Sequence, residues 1–428
     1  MRKALKYRLS PNQETARTLQ WTLHRCRELY NAALTERRDA YEFHVRQHGN
    51  FYDPDIKKQL TKELTVNYYS QKREVTEIKR EEREEYQDIA CHVLQDVVLR
   101  LDLAFQAFFD RAKKKQQGLF TGKVGYPRFK SEKRYDSFTY PDGAGWKLET
   151  IKEPEGKKRG KAVLYLTKIG DAPVTLHRPL EGSIKTVTIK REVDQWFVVF
   201  SCEVVESEKL PVSYEDVGID LGVTHLATLS NGEFIEHPRH FRKTEKQLAQ
   251  RQQRVEHKKR GSHRRKKAGK LVGKAHRKAA RQRRDFLHKA SHKLVQRYQV
   301  LVFEDIQTAN LVRKPAPRQD ENGKYLPNGA AAKSGLNKSI LDAGWGTFVA
   351  LCSSKAEEAG RTLVKVDPKF TSQICSQCGQ VRKKDLSERW HMCDCGCELD
   401  RDVNAAVNIL ARGKQHLWVG KQPTLATA

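Results

Sequence analysis

Five of the nine cysteines fall between Cys375 and Cys397, and the segment that ends this run, CDCGCELDRD (393–402), goes straight into an aspartate pair. No other feature restricts the chain as much. Cys375-x-x-Cys378, followed fifteen residues later by Cys393-x-Cys395-Gly, is close to a four-cysteine zinc ribbon. All-thiolate ligation leaves no open coordination position, so such an ion staples the chain and does no chemistry. The second pair is one residue tighter than the first, and Cys397 competes for the last ligand position. Cys26, Cys91, Cys202 and Cys352 are scattered among apolar neighbours and read as ordinary buried thiols of a reducing compartment.

The charge points to a polyanionic partner. Lys and Arg number 81 against 53 Asp and Glu, a net charge of +28. The excess is clustered: Arg251 to Arg284 holds sixteen Lys/Arg and one acid, Glu256. A basic surface of this density releases counterions from a nucleic-acid backbone. MRKALKYRLSPNQ lacks a signal-peptide core and no apolar run is long enough to span a membrane, so the expected location is the prokaryotic cytosol, associated with the nucleoid.

Along the chain, LKYRL alternates as a strand, and Ser10, Pro11 and Gln13 predict a capped helix start. Helical spacing continues to about Lys113, with QKREVTEIKREEREEYQ as a solvated face. It stops where glycine, proline, aromatic and basic residues interleave, and Tyr126, Phe129 and Phe138 are candidates for base stacking there. AVLYLTKI, IKTVTIK and WFVVFSCEVV predict a β-rich module that takes up the first strand and so brackets the helical region. DVGIDLG predicts a strand, HLATLSNGEFIEH a hairpin turning at Asn231-Gly232, residues 240–298 mostly helix, and VLVFED a buried strand. Residues 314–335 read as a Pro/Gly-rich loop, followed by a helix over about 338–359, a strand TLVKV and a last helix from about Asp402 to Arg412.

Acids inside such apolar strands are costly unless a cation compensates them. Asp220 ends the first strand, Glu304 ends the second, and Asp402 opens a helix whose Ala405, Ala406, Ile409 and Leu410 share one face. Strand acid, hairpin, helix, strand acid, then helix-borne acid is the order of an RNase H-like nuclease. There, three carboxylates hold two Mg²⁺ ions roughly 4 Å apart. Asp400 reads as the helix N-cap or as a group behind the ligands.

The chain resembles the TnpB family of RNA-guided DNA endonucleases, which insertion sequences encode and which are related to compact type V CRISPR effectors. The likeness rests on YRLSPNQ, VGYPRFK, VGIDLGVTHLAT, VFEDI, SILDAGWGTF, TSQICSQCG and RWHMCDCGCELDRDVNAAVNIL, which cover nearly the whole chain in the family's order. It implies an α/β and α+β multidomain protein with a RuvC-type, RNase H-like nuclease domain (213–371 and 400–413) interrupted by a zinc-binding domain (372–399). It also implies an N-terminal β-barrel-like wedge domain (1–10 and 115–212), a helical recognition domain (11–114) and a tail (414–428).

Asp220, Glu304 and Asp402 match the family's catalytic acids. Cys395 stands at the family's distance before the Asp-Arg-Asp, which makes Cys375, Cys378, Cys393 and Cys395 the implied zinc ligands with Cys397 in reserve. The implied cofactors are Mg²⁺, Zn²⁺ and a guide RNA; the implied partners are that RNA, target double-stranded DNA with its displaced strand, and a transposase of the same element. The implied activity is cleavage of DNA complementary to the guide, beside a short adjacent motif. The alternatives are a guide-dependent DNA-binding regulator that does not cut, against which all three acids stand, and a strand-transfer transposase, which the cysteines before the third acid and YRLSPNQ disfavour.

Overall fold

The computed structural model describes residues 2–43, 66–120, 122–205, 208–385 and 388–419. Its internal contacts divide the chain into two units, residues 1–205 and 206–428.

The first unit is organised by its first strand. β1 (Arg2–Leu9) alternates as LKYRL predicts and buries Leu5, Tyr7 and Leu9. Helices α1 (Gln13–Tyr41), α2 (Tyr68–Glu81) and α3 (Cys91–Gln116) follow. Then come β2 (Ser137–Tyr140), β3 (Trp146–Lys152), β4 (Gly160–Leu166), β5 (Gly170–Leu176), β6 (Ser183–Glu192) and β7 (Gln195–Glu203). The strands join antiparallel in the order β2-β6-β7-β1-β5-β4-β3, so β1 lies between β7 and β5 and ties the N-terminus into the later module. The hydrogen-bonded ladder is open, with β2 and β3 at its ends.

Several expectations shift here. The cap of α1 is Asn12, whose Oδ1 accepts the Thr15 N–H at 2.7 Å, and not Ser10. Ser10 is still occupied with the sheet, donating its N–H to the Pro173 carbonyl at 2.8 Å. The charged run 71–87 is α-helical only to Glu81 and re-forms as a short 3₁₀ helix over Glu84–Asp88, and it buries Gln71, Val75 and Tyr86. Residues 44–65 of the expected helical stretch lie outside the described residues. Phe138 is fully buried in the core and unable to stack on a base. Tyr126 and Phe129 remain part-exposed, although Tyr126 packs edge-on against Phe105 and Phe108. Of the scattered cysteines, Cys26, Cys202 and Cys352 are buried as expected, whereas Cys91, the first residue of α3, is exposed.

The second unit has a five-stranded mixed sheet in the order β10-β9-β8-β11-β14: β8 (Asp216–Asp220), β9 (His225–Leu229), β10 (Phe234–Glu236), β11 (Val300–Glu304) and β14 (Thr362–Val366). β8, β11 and β14 run parallel, while β9 and β10 form the antiparallel hairpin expected at Asn231-Gly232. The basic segment becomes two helices, α4 (His240–Glu256) and α5 (His263–Arg297). After a four-residue helix α6 (Thr308–Leu311), the expected loop 314–335 is shorter than its composition suggests. It contains a small hairpin, β12 (Arg318–Gln319) with β13 (Tyr325–Leu326), and helix α7 already starts at Ala330 (Ala330–Ala343).

Gly344, in the left-handed region at φ 70°, ends α7 and starts α8 (Trp345–Ala359), which splits the single helix read from the sequence. A short hairpin, β15 (Trp390–Met392) with β16 (Glu398–Asp400), leads into the last helix, α9 (Arg401–Val419), which runs seven residues past the expected end. Among the described residues, no helix is long and apolar enough to cross a membrane.

Side-chain alternation assigns the two faces of this sheet. Val217, Ile219, Leu301 and Phe303 pack with Leu287, Leu294, Phe348 and Cys352 of α5 and α8. Val302 and Val366 pack on the other face with Ile409 of α9. Asp342 of α7 anchors the basic helices, its carboxylate accepting the Phe241 N–H at 3.0 Å and pairing with Arg283 at 3.3 Å.

Gly218 is the point of closest approach. A Cβ there would stand 2.0 Å from the Ala406 carbonyl oxygen and 2.7 Å from the Leu410 nitrogen. Gly218→Ala must therefore push α9 off the strand, with an expected loss of about 2–3 kcal/mol in the 206–428 unit, measured by denaturant unfolding. An unchanged midpoint would contradict the packing.

Candidate active site and metal centre

Strand register brings the first two acids together. In the parallel pair, Phe303 stands opposite Ile219 and Val302 opposite Gly218, so Glu304 and Asp220 follow at neighbouring C-terminal strand ends. Both share the parity of Gly218 and Val302, the face that α9 covers. Asp402 is one helical turn before Ala406, the residue laid over Gly218, so the third acid reaches the same place.

The carboxyls show what this proximity costs. Burial drives Asp220 well above the usual carboxylate range, and the charges of Glu304 and Asp402 add to it. Burial also raises Glu304, opposed by the Thr371 hydroxyl, which donates to Glu304 Oε1 at 2.5 Å. Asp402 is raised by burial and by Asp400, against which Arg389, Arg401 and His225 act. Three such groups ionise together only beside a cation, and hard carboxylate oxygens suit a divalent one. The three stand wider apart than the sulfurs described below: among the described residues, only cysteine-containing groups have donor atoms all within 4.8 Å of one another.

The cysteines sit on loops bonded to the helix that carries Asp402. Cys375, Cys378, Cys393 and Cys395 converge, with Cys375 Sγ 3.7 Å from Cys395 Sγ and Cys378 Sγ 3.5 Å from Cys393 Sγ. A tetrahedron with Zn–S bonds of about 2.3 Å has sulfur–sulfur edges of about 3.8 Å, so the four fit a zinc ion. Gly379 and Gly396 turn the two knuckles at φ 79° and 85°. Cys397 belongs to a second, buried group with Cys375 and His391. Burial alone would raise the Cys375 thiol. The N–H groups of Cys378 and Gln377 and the His391 ring outweigh it and hold that thiol at about 5.

Asp400 is the helix cap, its Oδ1 accepting the N–H groups of Asp402 at 2.9 Å and Val403 at 3.2 Å. Three functional residues were not read from the sequence. Asn404 accepts the Ser376 N–H at 2.9 Å and donates to the Ile374 carbonyl at 2.8 Å. Asn408 donates to the carbonyls of Thr371 at 2.9 Å and Ile374 at 2.7 Å. These asparagines, four apart on α9, clamp the first cysteine loop to the helix that carries Asp402, and their spacing in VNAAVN was the available signal. Thr371, the third, opens that loop and had no signal of its own.

Comparison with known proteins places the chain. Residues 199–314 match the OrfB_IS605 family model, described as a probable transposase, and residues 345–409 match the TNB domain of Cas12f1-like proteins. A putative RNA-guided DNA endonuclease, InsQ, of Escherichia coli K12 is 29% identical over 420 residues, 98% of this chain and 94% of its own. One of Streptomyces pristinaespiralis is 33% identical over 419 residues, 96% of this chain and 90% of its own. This chain belongs to the TnpB family. A TnpB-like protein of Acanthamoeba polyphaga mimivirus, L79, is 26% identical over 152 residues, 36% of this chain and 27% of its own. The first 44 residues of this TnpB-family chain match a model described as a helix-turn-helix domain, yet the described residues among them form one strand and one 29-residue helix.

The raised carboxyls give a stability prediction. A carboxyl with a folded pKa above its unfolded value keeps a proton that the unfolded chain has released. Stability therefore falls as pH climbs from about 4, the unfolded carboxylate range, through the folded value. Without divalent ions, Asp220→Asn should stabilise the protein at neutral pH by about 1 kcal/mol, a rise of about 2–4 °C in Tm. Added Mg²⁺ should raise the wild-type Tm more than that of the variant. A variant no more stable than the wild type would refute the mutual repulsion.

Proposed function

We propose that this TnpB-family protein is an RNA-guided, Mg²⁺-dependent DNA endonuclease that cuts DNA complementary to a bound guide RNA beside a short adjacent motif. The observation that carries this reading is the meeting of Asp220, Glu304 and Asp402 at the ends of two adjacent parallel strands and the start of α9. In support stand the strand order β10-β9-β8-β11-β14 with its antiparallel hairpin, as in an RNase H-like RuvC domain, and the likeness to two relatives named as putative RNA-guided DNA endonucleases that span nearly the whole chain.

Asp220, Glu304 and Asp402 are the proposed ligands of two Mg²⁺ ions, which when bound activate the attacking water and stabilise the leaving 3′ oxygen. The chain's own residues prepare the site. Thr371 orients Glu304, Asp400 fixes the first turn of α9 and so the direction of Asp402, and the apolar strand ends exclude bulk water. Cys375, Cys378, Cys393 and Cys395 hold a structural Zn²⁺. The sixteen Lys/Arg of residues 251–284, on α4, α5 and their connection, suit an RNA or heteroduplex backbone.

In domain terms, residues 1–10 and 115–212 form the wedge, 11–114 the recognition domain, 213–371 with 400–413 the nuclease, and 372–399 the zinc-binding domain. The partners are the guide RNA, the target duplex and its displaced strand, and a transposase of the same element.

The test is purification with co-expressed RNA, followed by Mg²⁺ and a plasmid library matching the RNA's 3′ guide. Guide-dependent cleavage is expected, and Asp220→Ala, Glu304→Ala and Asp402→Ala should each reduce it by at least about a hundredfold while RNA and target binding persist. Binding by the wild type without cleavage would make the protein a regulator. Protein that retains no RNA would overturn the reading.

A further inference from the structure

Two donor sets in the cysteine cluster share one atom. Cys375 Sγ belongs to the outer four-sulfur group and also to the inner group with His391 and Cys397. An ion centred on the outer set leaves Cys397 and His391 unused, and both are buried, His391 completely. A buried imidazole nitrogen without a partner is costly, and among the described residues His391 Nε2 has no partner meeting ordinary hydrogen-bond geometry. A ring nitrogen of His391 lies within 4.8 Å of the sulfurs of Cys375 and Cys397, and with Nδ1 taken up by Lys384 the nitrogen left for them is Nε2.

The other ring nitrogen decides how Nε2 is used. Lys384 Nζ lies against His391 Nδ1. An ammonium has three donors and no acceptor, so Nδ1 must accept, and the proton of the neutral ring sits on Nε2. A protonated Nε2 has no lone pair for a metal; it is a donor aimed at a thiolate.

We propose that His391 is a positioning residue of the metal centre: its Nε2–H donates to the Cys375 thiolate, Lys384 holds it in that tautomer, and the pair keeps the ion on Cys375, Cys378, Cys393 and Cys395. This rests on the zinc reading above. A zinc ion with four thiolates carries a net double negative charge, so N–H donors to the buried sulfurs stabilise the loaded site, as partners behind metal ligands do elsewhere. Cys397 then stays a protonated thiol beside Cys375, which settles the competition between Cys395 and Cys397 that the sequence leaves open.

The test loads the full-length protein with Co²⁺ in place of Zn²⁺. The ligand-field bands distinguish four sulfurs from a sulfur–nitrogen set, and the charge-transfer intensity follows the number of thiolates. A four-sulfur spectrum is expected for the wild type. His391→Leu should keep the band positions and the one-ion stoichiometry but lose metal to a chelator about 10–100-fold more readily. His391→Gln, whose amide N–H can serve the same sulfur, should recover much of that loss, and Lys384→Met should show part of it. Cys397→Ser should leave the spectrum unchanged, whereas Cys395→Ser should remove a thiolate band.

A sulfur–nitrogen spectrum in the wild type that changes in His391→Leu would make His391 a ligand and overturn the proposal. So would wild-type metal retention in that variant. Should His391→Leu fail to fold, Lys384→Met and His391→Gln decide by the same readout. A protein that takes up no ion would remove the zinc reading and this one with it, while cleavage results bear only on the nuclease reading.

Discussion

A helix resting on the bare backbone of a strand sets the geometry of the 206–428 unit. At Gly218 there is no side chain to hold α9 away, so the Ala406 carbonyl lies against β8. A small residue on each side allows it, Ala406 on the helix facing glycine on the strand. From that contact, Asp402 follows by one helical turn and Asp220 by two residues of strand. Had position 218 carried even a methyl group, the third carboxylate would be withdrawn from the other two. The cluster of acids is thus a product of packing two residues away, in a layer that touches none of them.

The cysteine region supplies the second constraint, along the helix instead of across it. Asn404 and Asn408 bond the backbone of residues 371–376, and Arg401 donates to the carbonyls of Asp385 and Glu388. The first turns of α9 are therefore held by two loops, one that leads into the first cysteine pair and one between the two pairs. Thr371 belongs to one of these loops and reaches Glu304. The adjacency of CDCGC and DRD in the sequence has this meaning: one loop system orients two of the three acids.

Most of this second unit could be read in advance because its signals were local. Asp220 and Glu304 announced themselves as charges at the ends of apolar strands, and the hairpin by Asn-Gly. Asp400 read as a cap or as a group behind the ligands because aspartate is favoured at helix starts, and the structure makes it the cap. What escaped reading depended on distant partners. Ser10 looked like a cap, but the sheet claimed its backbone and passed the role to Asn12. Phe138 looked available for stacking until seven strands gathered around it. The break at Gly344 was hidden because glycine within a helical pattern is tolerated as often as it terminates. Asn404 and Asn408 act on backbone groups 28 to 37 residues away, and Thr371 on a carboxylate 67 residues away, a relation no window of sequence contains.

Asp342 gives the basic helices a different character from that of a loose charged appendage. Its carboxylate holds the start of α4 and pairs with Arg283 of α5, so both helices are rooted at one buried residue. Three residues on, the Trp345 indole N–H donates to the Gly222 carbonyl, two positions beyond Asp220. α5 alone runs for 35 residues, a rod of about 50 Å. The two long charged helices and the chain just beyond Asp220 are thus fastened by residues only three apart, Asp342 and Trp345, so the anchor of the helices and the anchor of the strand end are nearly the same point in the sequence.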